Sequence, residues 1–140
     1  MRVKDIMHSI MKIPHDLTVA EIAIAMSKKP TGSVLLEESG KPMGIITERD
    51  ILRKVVAQKK NPNQVKGYEI ASYPLITIDA ETSIEEAGIK MYQHNIRRIL
   101  ITENGNVVGK LTASAVLKNM KYIRINKLLD NERAYERAYQ

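Results

Sequence analysis

The stretch MKIPHDLTVAEIAIAMSKKPTGSVLLEESGKPMGIITERDILRKVV, residues 11–56, decides the fold because it returns later in the chain. Shifted by 65 residues and without a gap, it aligns with ITIDAETSIEEAGIKMYQHNIRRILITENGNVVGKLTASAVLKNMK, residues 76–121. Ten pairs are identical, and apolar, glycine and hydroxyl positions recur between the copies. Because about 45 residues cannot bury a two-layer core well alone, we expect the two copies to pack together.

The pattern within each copy predicts the order strand, helix, strand, strand, helix. Short apolar runs bounded by glycine-containing turns are typical of strands and hairpins. The expected strands are residues 11–13, residues 34–36 and one ending near Ile46 after a Ser39-Gly40 turn, and in the second copy residues 75–78, residues 99–101 and one ending near Leu111 after an Asn104-Gly105 turn.

Two capping boxes predict where the first helix of each copy begins. Thr18 and Ser83 each stand three residues before a glutamate, so a hydroxyl and a carboxylate are available to the free amides of a first turn. Apolar residues follow at helical spacing, and a final helix is expected after Thr47 or Thr112. The residues expected on the buried faces are Val19, Ile22, Ala23 and Met26, then Ile51, Leu52 and Val55, and in the second copy Ile84, Ala87, Gly88 and Met91, then Val116, Leu117 and Met120.

These elements give the fold class α/β, in an α+β arrangement: two β-α-β-β-α repeats packed with pseudo-twofold symmetry, plus a C-terminal helix. The expected boundaries are 1–60 for the first repeat with an N-terminal segment, 61–69 for a linker, 70–121 for the second repeat and 122–140 for an amphipathic helical tail. Basic and apolar positions alternate in the tail, and we expect it to pack on the body or on a second copy.

Composition excludes several classes of protein. The chain has no cysteine, which removes disulfides and thiolate chemistry, and no apolar run long enough to span a bilayer. Charges interrupt the first ten residues, so they do not resemble a secretory signal, and we expect a cytoplasmic protein without a membrane anchor. The net charge of +6 is dispersed and Phe and Trp are absent, so nucleic-acid binding is not favoured.

Several segments, taken in order, carry a resemblance to a known family. They are Val3-Lys-Asp-Ile-Met7, Thr31-Gly-Ser-Val-Leu-Leu36, Gly44-Ile-Ile-Thr47-Glu-Arg-Asp50 and Ile96-Arg-Arg-Ile-Leu-Ile101. With their duplication, they resemble a stand-alone tandem CBS domain pair, or Bateman module, over residues 3–120. The resemblance implies two clefts between the repeats that bind AMP, ADP, ATP or S-adenosylmethionine, assembly into a homodimer, and regulation of a partner protein.

Thr47 and Asp50 are the leading candidates for ligand contact. In the family the matching threonine contacts phosphate or ribose, and the matching aspartate accepts hydrogen bonds from both ribose hydroxyls. A carboxylate suits this task because it only accepts. Alternatively, Thr47 caps the final helix and Asp50 is an acidic residue of its first turn. In the second copy Ala115 replaces the aspartate, so we expect one good site per chain and a weaker second cleft at Ile78, Thr112 and Arg49.

Arg97 and Arg98 are the candidate positive charges. The resemblance implies that such residues reach the phosphates of the nucleotide held by Asp50, and strand alternation lets one of the two point into the cleft. Alternatively, they form a surface pair with Glu81 or Glu103. The candidates for an apolar slot around adenine, which alternatively belong to the core, are Ile13, Ile45 and Ile46.

No catalytic or metal-binding pattern accompanies these sites. His8, His15 and His94 lack the spacing of metal ligands, and no P-loop or nucleophile elbow occurs. The sequence therefore predicts a non-enzymatic regulatory module that takes an adenine nucleotide as its ligand and needs no cofactor. The alternative is an adaptor with vestigial clefts, whose basic C-terminal helix binds a partner protein or nucleic acid.

Overall fold

The computed structural model of the chain describes residues 1–121 together with residues 133 and 137. After a 3-10 turn, Val3–Asp5, the first repeat contains β1 (Met11–Pro14), α1 (Val19–Lys28), β2 (Ser33–Glu38), β3 (Lys41–Thr47) and α2 (Glu48–Ile51), which continues as a π-helical turn over Leu52–Val56. A short helix, α3 (Gly67–Ile70), precedes the second repeat, which contains β4 (Thr77–Asp79), α4 (Ile84–Gln93), β5 (Arg98–Glu103), β6 (Asn106–Thr112) and α5, over residues 113–121.

The predicted order of strands and helices is therefore confirmed in both repeats. The expected C-terminal helix over residues 122–140 falls outside the described residues, apart from positions 133 and 137. Within the part of the chain that the structure describes, no helix combines the length and the apolarity that crossing a membrane requires.

Each repeat forms its own three-stranded sheet, with its second strand in the middle. β2 pairs in parallel with β1 and antiparallel with β3, and β5 pairs in the same way with β4 and β6. The parallel pairs need a crossover, which α1 and α4 supply, whereas the antiparallel pairs are hairpins. The predicted turns Ser39-Gly40 and Asn104-Gly105 all have positive φ, between 50° and 78°, as two-residue turns that match the strand twist require.

Hydroxyl side chains cap α1 and α4 as predicted. Thr18 Oγ1 accepts a hydrogen bond from the Glu21 amide at 3.2 Å, and Ser83 Oγ accepts one from the Glu86 amide at 3.2 Å. Neither glutamate makes the reciprocal contact with the amide of its cap residue, so only the hydroxyl half of each predicted box is formed.

Helix faces and central strands supply the core of each repeat. The residues that are almost fully buried are Val19, Ile22, Val34, Leu36, Ile46 and Val55 in the first repeat and Ile84, Ala87, Ile99, Ile101, Leu111 and Val116 in the second. They include the principal positions predicted for the buried faces of α1 and α4.

The prediction for the last helix of each repeat is partly wrong. Leu52 and Leu117, which occupy equivalent positions, were expected in the core but are 59% and 69% exposed, and Met120 is also exposed. Consecutive residues lie about 100° apart around a helix, so Leu117 leaves the face on which its neighbour Val116 is buried. Leu52 begins the π-helical turn, whose i→i+5 hydrogen bonds remove the α-helical alignment of residues three apart, so it does not share the face of the buried Val55. An outward apolar position therefore recurs in both repeats.

The N-terminal segment packs with the second repeat. The chain divides into a first-repeat unit, Ser9–Ile76, and a second-repeat unit made of Met1–His8 with the residues from Thr77 onward. This division differs from the expected boundaries, which placed residues 1–8 with the first repeat. Val3 is fully buried, and its amide donates to the Thr82 carbonyl at 2.9 Å.

In each unit a further segment pairs with the equivalent edge strand, β3 or β6. In the second-repeat unit, His8 and Lys110 of β6 exchange two backbone hydrogen bonds of 2.8 Å. In the first-repeat unit, Ser72 and Ile45 of β3 exchange two, of 2.9 and 3.1 Å. Ile45 and Lys110 are equivalent in the repeat alignment, so the main chain satisfies its hydrogen bonds in the same way in each unit.

Gly67→Ala should destabilise the protein, because α3 begins where the core leaves no room for a side chain. A Cβ on Gly67 would lie 2.6 Å from Ile22 Cδ1 and 3.3 Å from Leu36 Cδ1. Overpacking of this kind costs about 1–3 kcal/mol, so the denaturant midpoint for unfolding should fall.

Gly88→Ala is the matched control. A Cβ on Gly88 in α4 would meet Val116 Cγ1 at 3.4 Å, an ordinary contact, and the first repeat already has Ala23 at that position. Alanine is favoured over glycine inside a helix by about 0.5–1 kcal/mol, so this midpoint should hold or rise. Equal stability of Gly67→Ala and wild type would show that α3 can move off the core.

Candidate functional site

Thr47 and Asp50 close a reciprocal cap at the start of α2. The Thr47 amide donates to Asp50 Oδ2 at 2.8 Å, and the Asp50 amide donates to Thr47 Oγ1 at 3.3 Å. The Thr47 hydroxyl donates to the same Oδ2 at 3.1 Å. The structure thus brings the two leading site residues together where β3 ends, and it contains the capping arrangement that was the alternative to ligand contact.

Lys54, one turn further along, completes this cluster. Its ammonium lies 3.1 Å from Asp50 Oδ1 and donates to the Ile70 carbonyl at 2.9 Å. The Asp50 side chain is 15% exposed and the Lys54 side chain 45%, so the ion pair lies at the edge of the fold. Sequence reasoning missed Lys54, although an acidic and a basic residue four apart on a helix are a signal for such a pair.

The Asp50 carboxylate has acceptor capacity left. An ionised carboxylate offers about four acceptor positions. Two contacts from Thr47 use Oδ2 and one from Lys54 uses Oδ1. One position remains on Oδ1, and a second becomes available on Oδ2 when the Thr47 hydroxyl turns to another acceptor. The cluster can therefore accept hydrogen bonds from two further hydroxyl groups.

The equivalent place in the second repeat lacks both charges. The Ala115 amide donates to Thr112 Oγ1 at 3.2 Å, so the threonine cap is retained. Asn119, which stands where the first repeat has Lys54, donates from Nδ2 to the Ala115 carbonyl at 2.7 Å. The second repeat keeps the local backbone of the site but not its carboxylate.

Arg97 and Arg98 lie at the entrance to β5, in the second-repeat unit. Arg98 pairs with Thr112 in the sheet and is half-buried, while Arg97 is exposed. Among the described residues, neither forms the ion pair with Glu81 or Glu103 that was the alternative to phosphate contact. Glu81 instead pairs with Lys4, and its hydrogen bond and charge raise the pKa of Lys4 above the ordinary value.

The isoleucine candidates differ in exposure. Ile13 and Ile46 belong to the buried core cluster of the first-repeat unit, whereas Ile45 is only partly buried. Of the residues expected at the second cleft, Ile78 of the second-repeat unit is buried. Arg49, on α2 of the first-repeat unit, is exposed. The core alternative therefore describes Ile13 and Ile46, and Ile45 has side-chain surface available to a ligand.

A groove of about 520 Å³ opens between α1 and α2 of the first repeat. Met26, Ser27 and Glu48 are among its lining residues, and none of the predicted site residues is.

Each histidine has its own surroundings. His15 is 5.9 Å from the Tyr68 ring, centroid to centroid, and its Nε2 is 3.9 Å from Glu38 Oε1. His94 ends α4, and His8 joins the edge of β6. No group of three or more His, Cys, Asp or Glu side chains suited to a metal ion occurs among the described residues.

Comparison with known proteins agrees with this architecture. The sequence pattern of the CBS domain family matches residues 3–57 and again residues 67–122. An uncharacterized protein of Methanopyrus kandleri is 39% identical over 108 residues, which cover 76% of this chain and 55% of that relative. A CBS domain-containing protein of Bacillus subtilis is 32% identical over 108 residues, which cover 76% of each chain. This chain thus spans about half the length of the Methanopyrus relative.

A solved structure shows the same fold. The CBS domain protein from Pyrobaculum aerophilum, complexed with AMP, has a TM-score of 0.73 and 29% identity to this chain, over 82% of this chain and 89% of that one. Two sheets with the same strand order, two capped crossover helices and two matches to the family pattern lead to one conclusion. The chain belongs to the CBS domain family and contains two CBS domains in tandem.

Proposed function

We propose that this chain is a non-enzymatic regulatory module of the cytoplasm, which binds AMP, ADP or ATP at Asp50 and controls a partner protein. The observation that carries the proposal is the Asp50 carboxylate, which is fixed where β3 ends and still has acceptor capacity. A CBS domain protein of similar fold is complexed with AMP. S-adenosylmethionine contains the same ribose and is the competing ligand.

The ribose of a nucleotide presents two neighbouring hydroxyl donors. The carboxylate of Asp50 accepts both, in hydrogen bonds that are charge-assisted and worth about 1.5–3 kcal/mol each. Binding turns the Thr47 hydroxyl away from Oδ2 toward the ligand, because the ribose takes its acceptor. Ile45 offers apolar surface to the base, and the contact of Arg97 or Arg98 with the phosphates stays a prediction from the family resemblance.

We also infer that two copies assemble through their helical faces. Ile24 and Ile89 are each 56% exposed on α1 and α4, and Leu52 and Leu117 are exposed on the last helix of each repeat. In the repeat alignment Ile24 is paired with Ile89 and Leu52 with Leu117, and both pairs are among the ten identical ones. Large apolar side chains at the same exposed position in both repeats favour a surface that another copy covers.

AMP should stabilise the folded chain. A ligand that binds only the native state raises the free energy of unfolding by about 2.7 kcal/mol at a hundredfold excess over its Kd. Thermal melting with millimolar AMP, ADP or ATP measures the effect. The absence of a shift with all three at low salt would favour the adaptor function instead.

Asp50→Asn is the control for that experiment, and it should weaken AMP binding at least tenfold. The amide oxygen of asparagine can still accept from the Thr47 amide, and the lost ion pair to partly exposed Lys54 is worth only about 0–1 kcal/mol. The melting temperature of the free variant should therefore stay close to that of wild type. Normal AMP binding with a melting temperature several degrees lower would assign the carboxylate to capping alone.

Calorimetric titration should count one tight site per chain, because Ala115 provides no carboxylate in the second repeat. Ala115→Asp should add a second binding event, since Thr112 already caps the local helix in the same way. Two equivalent tight sites in the wild-type chain would contradict this asymmetry.

Leu52→Glu or Leu117→Glu should lower the mass measured by light scattering from that of a dimer toward that of a monomer. A charge at an exposed apolar position is tolerated in the free chain but not in a covered interface. Tyr73→Glu changes an aromatic residue that is 70% exposed and lies outside the two aligned stretches, 11–56 and 76–121, and it should leave the mass unchanged. A wild-type monomer would overturn the inferred assembly.

A further inference from the structure

Lys54 connects the Asp50 carboxylate to the chain that follows the first repeat. Its ammonium has three donors. One meets Asp50 Oδ1 at 3.1 Å and one the Ile70 carbonyl at 2.9 Å, at the end of α3. Because Ile70 is buried, its carbonyl is a fixed point of the fold. The Lys54 ammonium is therefore restrained by two contacts, one with the carboxylate and one with the main chain.

This contact fixes the orientation of the carboxylate. The Asp50 carboxylate turns about its Cβ–Cγ bond, and the hydrogen bonds from Thr47 oppose this rotation at Oδ2. Lys54 opposes it at Oδ1 as well, so the plane that contains the remaining lone pairs is restrained at both oxygens. Two neighbouring hydroxyl groups need acceptors in defined directions, whereas a single hydroxyl can follow a carboxylate that turns.

Comparison of the repeats supports a joint role for the two charges. The second repeat has alanine in place of Asp50 and asparagine in place of Lys54, so both members of the pair are absent. The substitute, Asn119, donates to the main-chain carbonyl of Ala115 within its own helix. The threonine cap remains at Thr112, so capping does not require the lysine.

We propose that Lys54 is a positioning residue, which holds the Asp50 carboxylate for simultaneous contact with both ribose hydroxyls and thereby sets the preference for ribonucleotides over deoxyribonucleotides. The inference rests on the proposed function, because it assigns a specificity determinant to the same site. It concerns the ratio of two affinities, and a general loss of stability would lower both affinities together.

The experiment titrates wild type, Lys54→Met, Lys54→Arg and Lys60→Met with AMP and with 2′-deoxyadenosine monophosphate by calorimetry. Wild type should prefer AMP by about tenfold or more, as one charge-assisted hydrogen bond predicts. Lys54→Met should bring this ratio close to one, mainly through weaker AMP binding. Lys54→Arg should restore most of it, since a guanidinium can donate to a carboxylate and a carbonyl at once. Lys60 is exposed beyond the end of the same helix. Lys60→Met removes an equal charge there and should leave the affinity ratio unchanged.

The outcomes separate the two proposals. In one outcome, wild type prefers AMP over the deoxynucleotide, Asp50→Asn loses this preference, and Lys54→Met keeps it. That outcome overturns the role of Lys54 but leaves the nucleotide site at Asp50 in place. An equal loss of affinity for both ligands in Lys54→Met, without rescue by arginine, likewise makes the lysine merely structural. If wild type binds neither nucleotide, the proposed function fails and this inference fails with it. Melting temperatures of all variants establish that the folded proteins are being compared.

Discussion

The burial of the central residues of β2 and β5 on both faces of their sheets is the constraint around which the rest of the chain is arranged. Successive residues of a strand point to opposite faces of its sheet, yet Leu35 and Leu100 are as buried as Val34 and Ile99 beside them. A strand that is covered on both faces must be apolar without interruption and must be paired along both edges. The parallel neighbour and the hairpin partner of each repeat supply the pairing, and the crossover helix packs on the sheet.

Features that depend on neighbours in sequence could be predicted from the sequence. The turns at Gly40 and Gly105, the caps of α1 and α4 and the faces they bury all follow from spacing within about ten residues. The exposure of Leu52 and Leu117 could not be predicted, because an apolar residue gives the same sequence signal at a core position and at an exposed position. The hydrogen bonds between residues 1–8 and β6 also could not be predicted, since they join main-chain groups about a hundred residues apart and do not depend on the side chains.

For the candidate site, the sequence supplied the carboxylate, and the structure adds how it is held. Capping and ligand contact do not exclude each other at Asp50, because its two oxygens have different partners: Oδ2 accepts the cap hydrogen bonds, and Oδ1 contacts Lys54 and keeps one acceptor position. The spacing of Asp50 and Lys54 is the sequence signal for their ion pair, but the second partner of Lys54 is a carbonyl sixteen residues away, which no side-chain pattern indicates. Ile13 and Ile46 lie in the buried core cluster, so the apolar slot around adenine stays a prediction for these two residues.

The way each unit completes β3 or β6 has a consequence for how such a protein can be inherited and recombined. A gene fragment for residues 1–60 would encode a segment whose hydrogen bonds lie in the other unit, and it would omit Ser72, which its own edge strand uses. Neither half is therefore a transferable cassette. Exchange of a single repeat between genes is therefore expected to break main-chain hydrogen bonds in both units, whereas exchange of the pair keeps them.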